Sequence, residues 1–291
     1  MPQHILVGVD GSPAVDRTLQ WAADDARVRR IPLRLVYAFR WEATRVPRYY
    51  EVPEGTDLQV RASQSVADKV IEPAIDKAVE LEPGVDVSGD AADGDPARVL
   101  IEESEQANEL VLGSRHSKAL GSAVPGSVSA AVTARAACPV VVVRGPSDPG
   151  PGASVVIGVD DTDTSEQVLA YGFDYATWHE LPVRPVLCWH PDLLALKSRR
   201  AEAPAPARVE AWLSEALAGW QERYPDVAVH PEVIREHPVA GLVGASTGQN
   251  LLVVGRRGRH ALAGTLLGSV SQGVLHHATC PVAVVPTHQG Q

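Results

Sequence analysis

An aspartate closing an apolar run and a spaced set of glycines are the residues of this 291-residue chain best suited to ligand chemistry. HILVGVD ends on Asp10 and VVIGVD ends on Asp160. A carboxylate there can accept a ligand N–H, or it can accept the N–H groups of its own turn. The glycines read Gly255-Arg-Arg-Gly258, then nine residues, then Gly268-Ser269. A glycine directly after a strand lets backbone N–H groups approach an anion with no Cβ in the way. The chain then returns as SVSQGVLHH, a helix whose free N–H groups and positive dipole end face the same anion. Ser269 adds a hydroxyl donor, and Arg256, Arg257 and Arg259 add positive charge. The chemistry implied is phosphate binding; the plainer alternative is a set of tight turns.

Other phosphate and phosphoryl motifs do not fit. A Walker A loop needs GxxxxGK[ST], and no lysine falls in this loop. The dinucleotide GxGxxG is absent after the first strand, which ends VDGS. A receiver domain needs an aspartate after its third strand and a lysine after its fifth. Here those strands end in Ala91-Ala92 and Arg144. Asp161 and Asp163 could reach a metal riding on phosphates, although solvated turn carboxylates explain them as well.

The elements that must position these residues come twice. Asp10 and Asp160 stand 150 apart, whereas LVLGSRH (110–116) recurs as LVVGRRG (252–258) at 142. PGSVSAAV (125–132) recurs as LGSVSQGV, and CPVVVV (138–143) as CPVAVV (280–285), both again at 142. The first copy therefore carries a net eight extra residues between about positions 40 and 95. GPSDPGPG, residues 145–152, reads as a linker between domains at 1–144 and 153–291. Apolar runs predict strands over 4–9, 33–39, 85–91, 109–112 and 139–143 in the first copy. In the second they fall over 154–159, 183–189, 227–234, 250–254 and 281–285. Helices lie between them: Ser12 caps one with Pro13 at its first position, Asp95-Pro96 opens another, and 208–224 reads as a single helix. On that last helix Trp212 and Trp220 share a face with Leu213, Ala216 and Leu217. Strands alternating with helices make an α/β fold: two tandem doubly wound, five-stranded parallel-sheet domains. Such sheets bind ligands beyond the carboxyl ends of their strands, where the strand order reverses.

Composition narrows the function classes. At 45% hydrophobic and 21% charged, the chain has ample apolar content for packed cores. The first half holds 16 basic against 21 acidic residues and the second 10 against 15, so each carries −5 of the total −10. Neither half is a basic, nucleic-acid-binding domain. No run approaches about 18 apolar residues, so no membrane helix is expected, and MPQHILVGVDGS lacks the basic start of a signal peptide. A cytoplasmic protein is expected. The three cysteines show no metal-ligand spacing and read as packing residues, as His276-His277 reads as a helix end.

VGVDGS, the G-x2-G-x9-G-S loop and the CPV strand resemble the universal stress protein family, in its tandem two-domain, actinobacterial form. The resemblance implies flavodoxin-like layering, akin to the adenine-nucleotide alpha-hydrolase folds, in two domains related by a pseudo-two-fold axis. It implies an ATP site in which Val159 and Asp160 contact adenine, Cys188 lines its pocket, and Val254 and Gly255 flank the ribose. Gly258, Gly268, Ser269 and Val270 would hold the phosphates. In the first copy the same roles fall on Val9, Asp10, Ala38, Leu112, Gly113, Gly126, Ser127 and Val128. His116 replaces the glycine found at 258, so the first site is expected to be the weaker. The family's edge-to-edge pairing of last strands would join residues 140–143 to 282–285 within one chain, and a homodimer is plausible. The implied function is a nucleotide-dependent regulator in stress response or growth arrest, with Mg2+ carried on the nucleotide. The rivals are a slow metal-dependent ATPase using Asp161 or Asp163, and an interaction scaffold indifferent to nucleotide.

Overall fold

Valine, isoleucine and leucine crowd the strand segments, and branched side chains suit a strand buried on both faces. A computed structural model describes residues 4–12, 15–40, 57–114, 126–145, 149–160, 165–190, 206–257 and 267–287. Two compact units result. The first holds the described residues of Met1–Gly113 and Gly126–Cys138; the second holds Ser114 and the described residues of Pro139–Gln291.

In the first unit β1 (Ile5–Val9), β2 (Leu33–Phe39), β3 (Val87–Asp93) and β4 (Glu109–Gly113) run parallel in the order β3-β2-β1-β4. Helices α1 (Val15–Arg29), α2 (Asp57–Leu81) and α3 (Pro96–Glu103) connect them, and α4 (Ser127–Arg135) follows β4. Asp95 caps α3 as the sequence implies: its carboxylate accepts the Arg98 N–H at 3.1 Å, with Pro96 opening the helix. That bond, followed by the nearby Arg40 charge, lowers the Asp95 pKa. The helix tightens into a 3-10 turn at Ser104–Gln106.

The second unit contains β5 (Val140–Val143), β6 (Val155–Val159), α5 (Ser165–Trp178), β7 (Val183–Cys188), α6 (Pro206–Ala216), α7 (Trp220–Arg223) and β8 (Glu232–Ile234). These are followed by α8 (Pro238–Ser246), β9 (Leu251–Gly255), α9 (Ser269–His277) and β10 (Val282–Val285). Five strands run parallel in the order β10-β9-β6-β7-β8. Strand β5, written into the first sequence copy, pairs antiparallel with β10, Val142 opposite Val282 and Val140 opposite Val284. Those ladder bonds explain why it groups with the second unit.

The α/β, mostly parallel architecture is the one expected. In each unit the chain order reverses beside the first strand, between β1 and β4 and between β6 and β9. The glycine of each VGVD motif serves packing there. A Cβ on Gly8 would lie 2.6 Å from Leu112 Cδ2, and one on Gly158 would lie 3.1 Å from Leu242 Cδ1.

Two local expectations fail. The helix expected over 208–224 breaks, because Gly219 takes φ +80° between α6 and α7. Trp220 therefore leaves the face of Trp212 and stacks on Phe173, with ring centroids 5.2 Å apart. The strand expected over 227–234 shortens to β8, with an isolated bridge at Val229; Pro231 between them has no N–H for the ladder.

Candidate functional site

At the carboxyl edge of the second unit, β6 lies between β7 and β9, so Asp160, Cys188 and Gly255 leave neighbouring strands on one side of the sheet. Val159 is buried opposite Leu187, and Val254 is buried in β9. Asp160 is half-buried and tied to the first residue of α5. Its N–H donates to Ser165 Oγ at 3.1 Å, and that hydroxyl lies 2.8 Å from Asp160 O and 3.0 Å from Asp160 Oδ1.

Cys188 turns its sulfur against α8, 2.7 Å from where a Cβ on Gly241 would stand. Burial pushes its thiol up to about 12, and the carboxylates of Glu232 and Glu236 add to the rise. At neutral pH it is an uncharged thiol, not a nucleophile.

The glycine loop divides its donors. The Arg256 N–H is spent on Val285 O at 2.7 Å, and the Gly268 N–H on Arg256 O at 2.9 Å. Gly268 has ordinary torsions, φ −69° and ψ 152°, so its glycine answers close approach and not handedness: a Cβ would sit 3.3 Å from Arg256 O. A Cβ on Gly255 would sit 3.1 Å from Arg257 O. Gly268 is the N-cap of α9, and no side chain caps that helix among the described residues. Ser269, Val270 and Ser271 therefore open the helix with N–H groups that have no intrahelical acceptor. Gly258 lies outside the described residues, as do His116, Asp161 and Asp163.

Positive charge gathers at the same end. Burial first, then the neighbouring charge of Arg257, lowers the Arg256 pKa. Arg257 Nε is buried without a hydrogen-bond partner among the described residues. The backbone of both arginines lies against the N-terminus of α9, where Gly268 N–H donates to Arg256 O, and the helix dipole favours an anion at this end.

Ser271 and Ser165 were not singled out in the sequence. Ser271 is buried, and its hydroxyl donates to Gly255 O at 2.6 Å, pinning the strand end to α9. Its signal was the repeated SVS, which also places buried Ser129 in the first copy. Ser165 had no such signal, because the first copy has Val15 in its place.

In the first unit β1 lies between β2 and β4, so Val9, Asp10, Ala38, Leu112 and Gly113 collect at one carboxyl edge. Asp10 is exposed, and its Oδ1 accepts the Ser12 N–H at 3.0 Å. Gly126 is the N-cap of α4 with φ −64° and ψ 162°, and Ser127 and Val128 form the first turn. Among the described residues no group of three His, Cys, Asp or Glu is placed to hold a metal, and no helix is long and apolar enough to cross a membrane.

Comparison with known proteins adds four findings. Universal stress protein Rv2005c of Mycobacterium tuberculosis is 37% identical over 288 residues, covering 97% of each chain. Universal stress protein Rv2623 of the same species is 36% identical over 288 residues, covering 96% of this chain and 95% of that one. Among solved structures, a universal stress protein from Archaeoglobus fulgidus DSM 4304 shares the fold at TM-score 0.73 and 16% identity, covering 97% of this chain and 98% of that one. The sequence model of the universal stress protein family matches residues 1–144 and again 153–286, and the chain belongs to that family.

Proposed function

We propose that this protein binds ATP at the carboxyl edge of each half, more tightly in the second, and that occupancy regulates its associations in cytoplasmic stress response or growth arrest. One observation carries the reading: Asp160 and the uncapped first turn of α9 issue from neighbouring strands at the point of strand reversal, with Arg256 and Arg257 beside them. Asp160 supplies an acceptor for the adenine amino group. Ser269 and Val270 supply N–H donors to the phosphates, and the two arginines offset their charge. Mg2+ would ride on the phosphates. With no general base among the assigned residues, hydrolysis would be slow at most.

The β5–β10 ladder supports a further part of the reading, in which the chain is two sequence repeats, 1–144 and 153–291, whose last strands pair. Each strand then covers the other's edge. A homodimer of the whole chain completes the proposal.

The test is mass spectrometry of small molecules released from the purified, denatured protein, combined with calorimetric ATP titration. An adenine nucleotide and a biphasic isotherm are expected. Gly258→Asp should remove the tight phase and His116→Gly should strengthen the weak one. Absence of both released nucleotide and measurable ATP binding would refute the reading.

A further inference from the structure

We propose that Ser165 is the positioning residue that sets Asp160 for its ligand, making the second site the tighter one independently of Gly258; the inference rests on the nucleotide reading above. Ser165 opens α5 and is only 6% exposed. Its oxygen accepts the Asp160 N–H at 3.1 Å and faces two acceptors of the same residue, the carbonyl at 2.8 Å and Oδ1 at 3.0 Å. A hydroxyl carries one proton, so the carbonyl and the carboxylate share it. Backbone and side chain of Asp160 thus converge on one buried atom. The carboxylate is oriented before any ligand arrives.

The first copy provides the internal comparison. Five residues after Asp10 stands Val15, which opens α1 as Ser165 opens α5 and has no hydroxyl. Asp10 is exposed and turns Oδ1 onto the N–H of Ser12, within its own turn. A ligand approaching Asp10 must compete with that turn bond. One approaching Asp160 finds a carboxylate already placed.

The chemistry of the base supplies a readout that general damage does not imitate. Adenine presents an amino donor where guanine presents a carbonyl acceptor. A fixed carboxylate accepts from the first and repels the second. Ser165→Ala should weaken ATP at the second site by about tenfold, roughly the worth of one oriented hydrogen bond. It should not weaken GTP, so that the preference for ATP falls by at least the same factor. Val15→Ser should strengthen ATP at the first site and raise its preference over GTP.

The experiment is calorimetric titration of the full chain with ATP and with GTP, alongside melting curves. Unchanged ATP affinity in Ser165→Ala, or equal loss for both nucleotides, overturns the inference while the nucleotide reading stands. If Ser165→Ala does not fold, Val15→Ser decides: a tighter, more selective first site supports the role and an unchanged one overturns it. No ATP binding by the parent protein overturns both readings.

Discussion

Removing the cation of a buried ion cluster should destabilise the first unit more than removing the whole cluster. Arg29 Nη1 lies 3.0 Å from Asp25 Oδ2 and 3.2 Å from Glu109 Oε2, and the three side chains are 8%, 1% and 0% exposed. The cluster ties the end of α1 to the amino end of β4. Arg29→Met deletes the cation and leaves two buried carboxylates without it. Breaking a buried pair from one side costs about 3–5 kcal/mol, whereas replacing all partners by neutral groups is often neutral. Against a typical total of about 5–15 kcal/mol, the single change is severe.

The second half fills the same positions without a carboxylate. Asp25, Arg29 and Glu109 correspond to Tyr175, His179 and Leu251. There the Tyr175 hydroxyl donates to Asn250 Oδ1 at 3.0 Å and its ring stacks on His179 at 4.1 Å. The triple transplant Asp25→Tyr, Arg29→His, Glu109→Leu should recover at least half of the loss seen in Arg29→Met. Urea unfolding followed by circular dichroism measures both, with the slope checked for constancy. A loss below about 1 kcal/mol in Arg29→Met, or a triple variant less stable than the single one, would refute the argument.

Gly145→Ala should also destabilise the fold, since Gly145 has φ +76° and a Cβ there would stand 1.8 Å from the Thr279 carbonyl oxygen. Left-handed torsion and overpacking together put the loss at about 2–5 kcal/mol by thermal unfolding, and a variant as stable as the parent would contradict the geometry. The thiols of Cys138 and Cys188 are pushed up to about 12 and that of Cys280 to about 11, in each case chiefly by burial. A native thiol pKa above the ordinary 9 stabilises the fold fully below pH 9, and that contribution is lost as pH climbs from 9 toward 12. Thiol-reagent labelling at pH 8 should therefore be slow in the native protein and reach three groups only on unfolding; three fast thiols in the folded chain would count against the burial.

Much of this protein is legible without coordinates because its signals are local. The strand predicted over 33–39 is β2 residue for residue, since a largely apolar run, interrupted only by Arg34, after a helix end leaves few alternatives. Asp95-Pro96 caps α3 because a carboxylate acceptor and a proline lacking N–H satisfy the same helix end. The break at Gly219 was not legible. A single glycine in a helical pattern is tolerated more often than not, and the packing of Trp220 on Phe173 decides it.

The candidate site divides in the same way. Spacing alone places Asp10, Asp160, Gly113 and Gly255 at strand ends, because alternating strands and helices force a parallel sheet whose carboxyl ends share one edge. Only the tertiary structure decides which donors stay open to a ligand: Arg256 and Gly268 spend their N–H groups on the chain itself, while among the described residues no side chain caps the first turn of α9. Only there does Ser165 meet Asp160 on both backbone and carboxylate, and Ser271 meet the Gly255 carbonyl. Residue types and intervals are properties of the chain. Hydrogen-bond partnership and desolvation belong to atoms brought close in space, and no spacing rule specifies which of two neighbouring N–H groups a distant carbonyl will take.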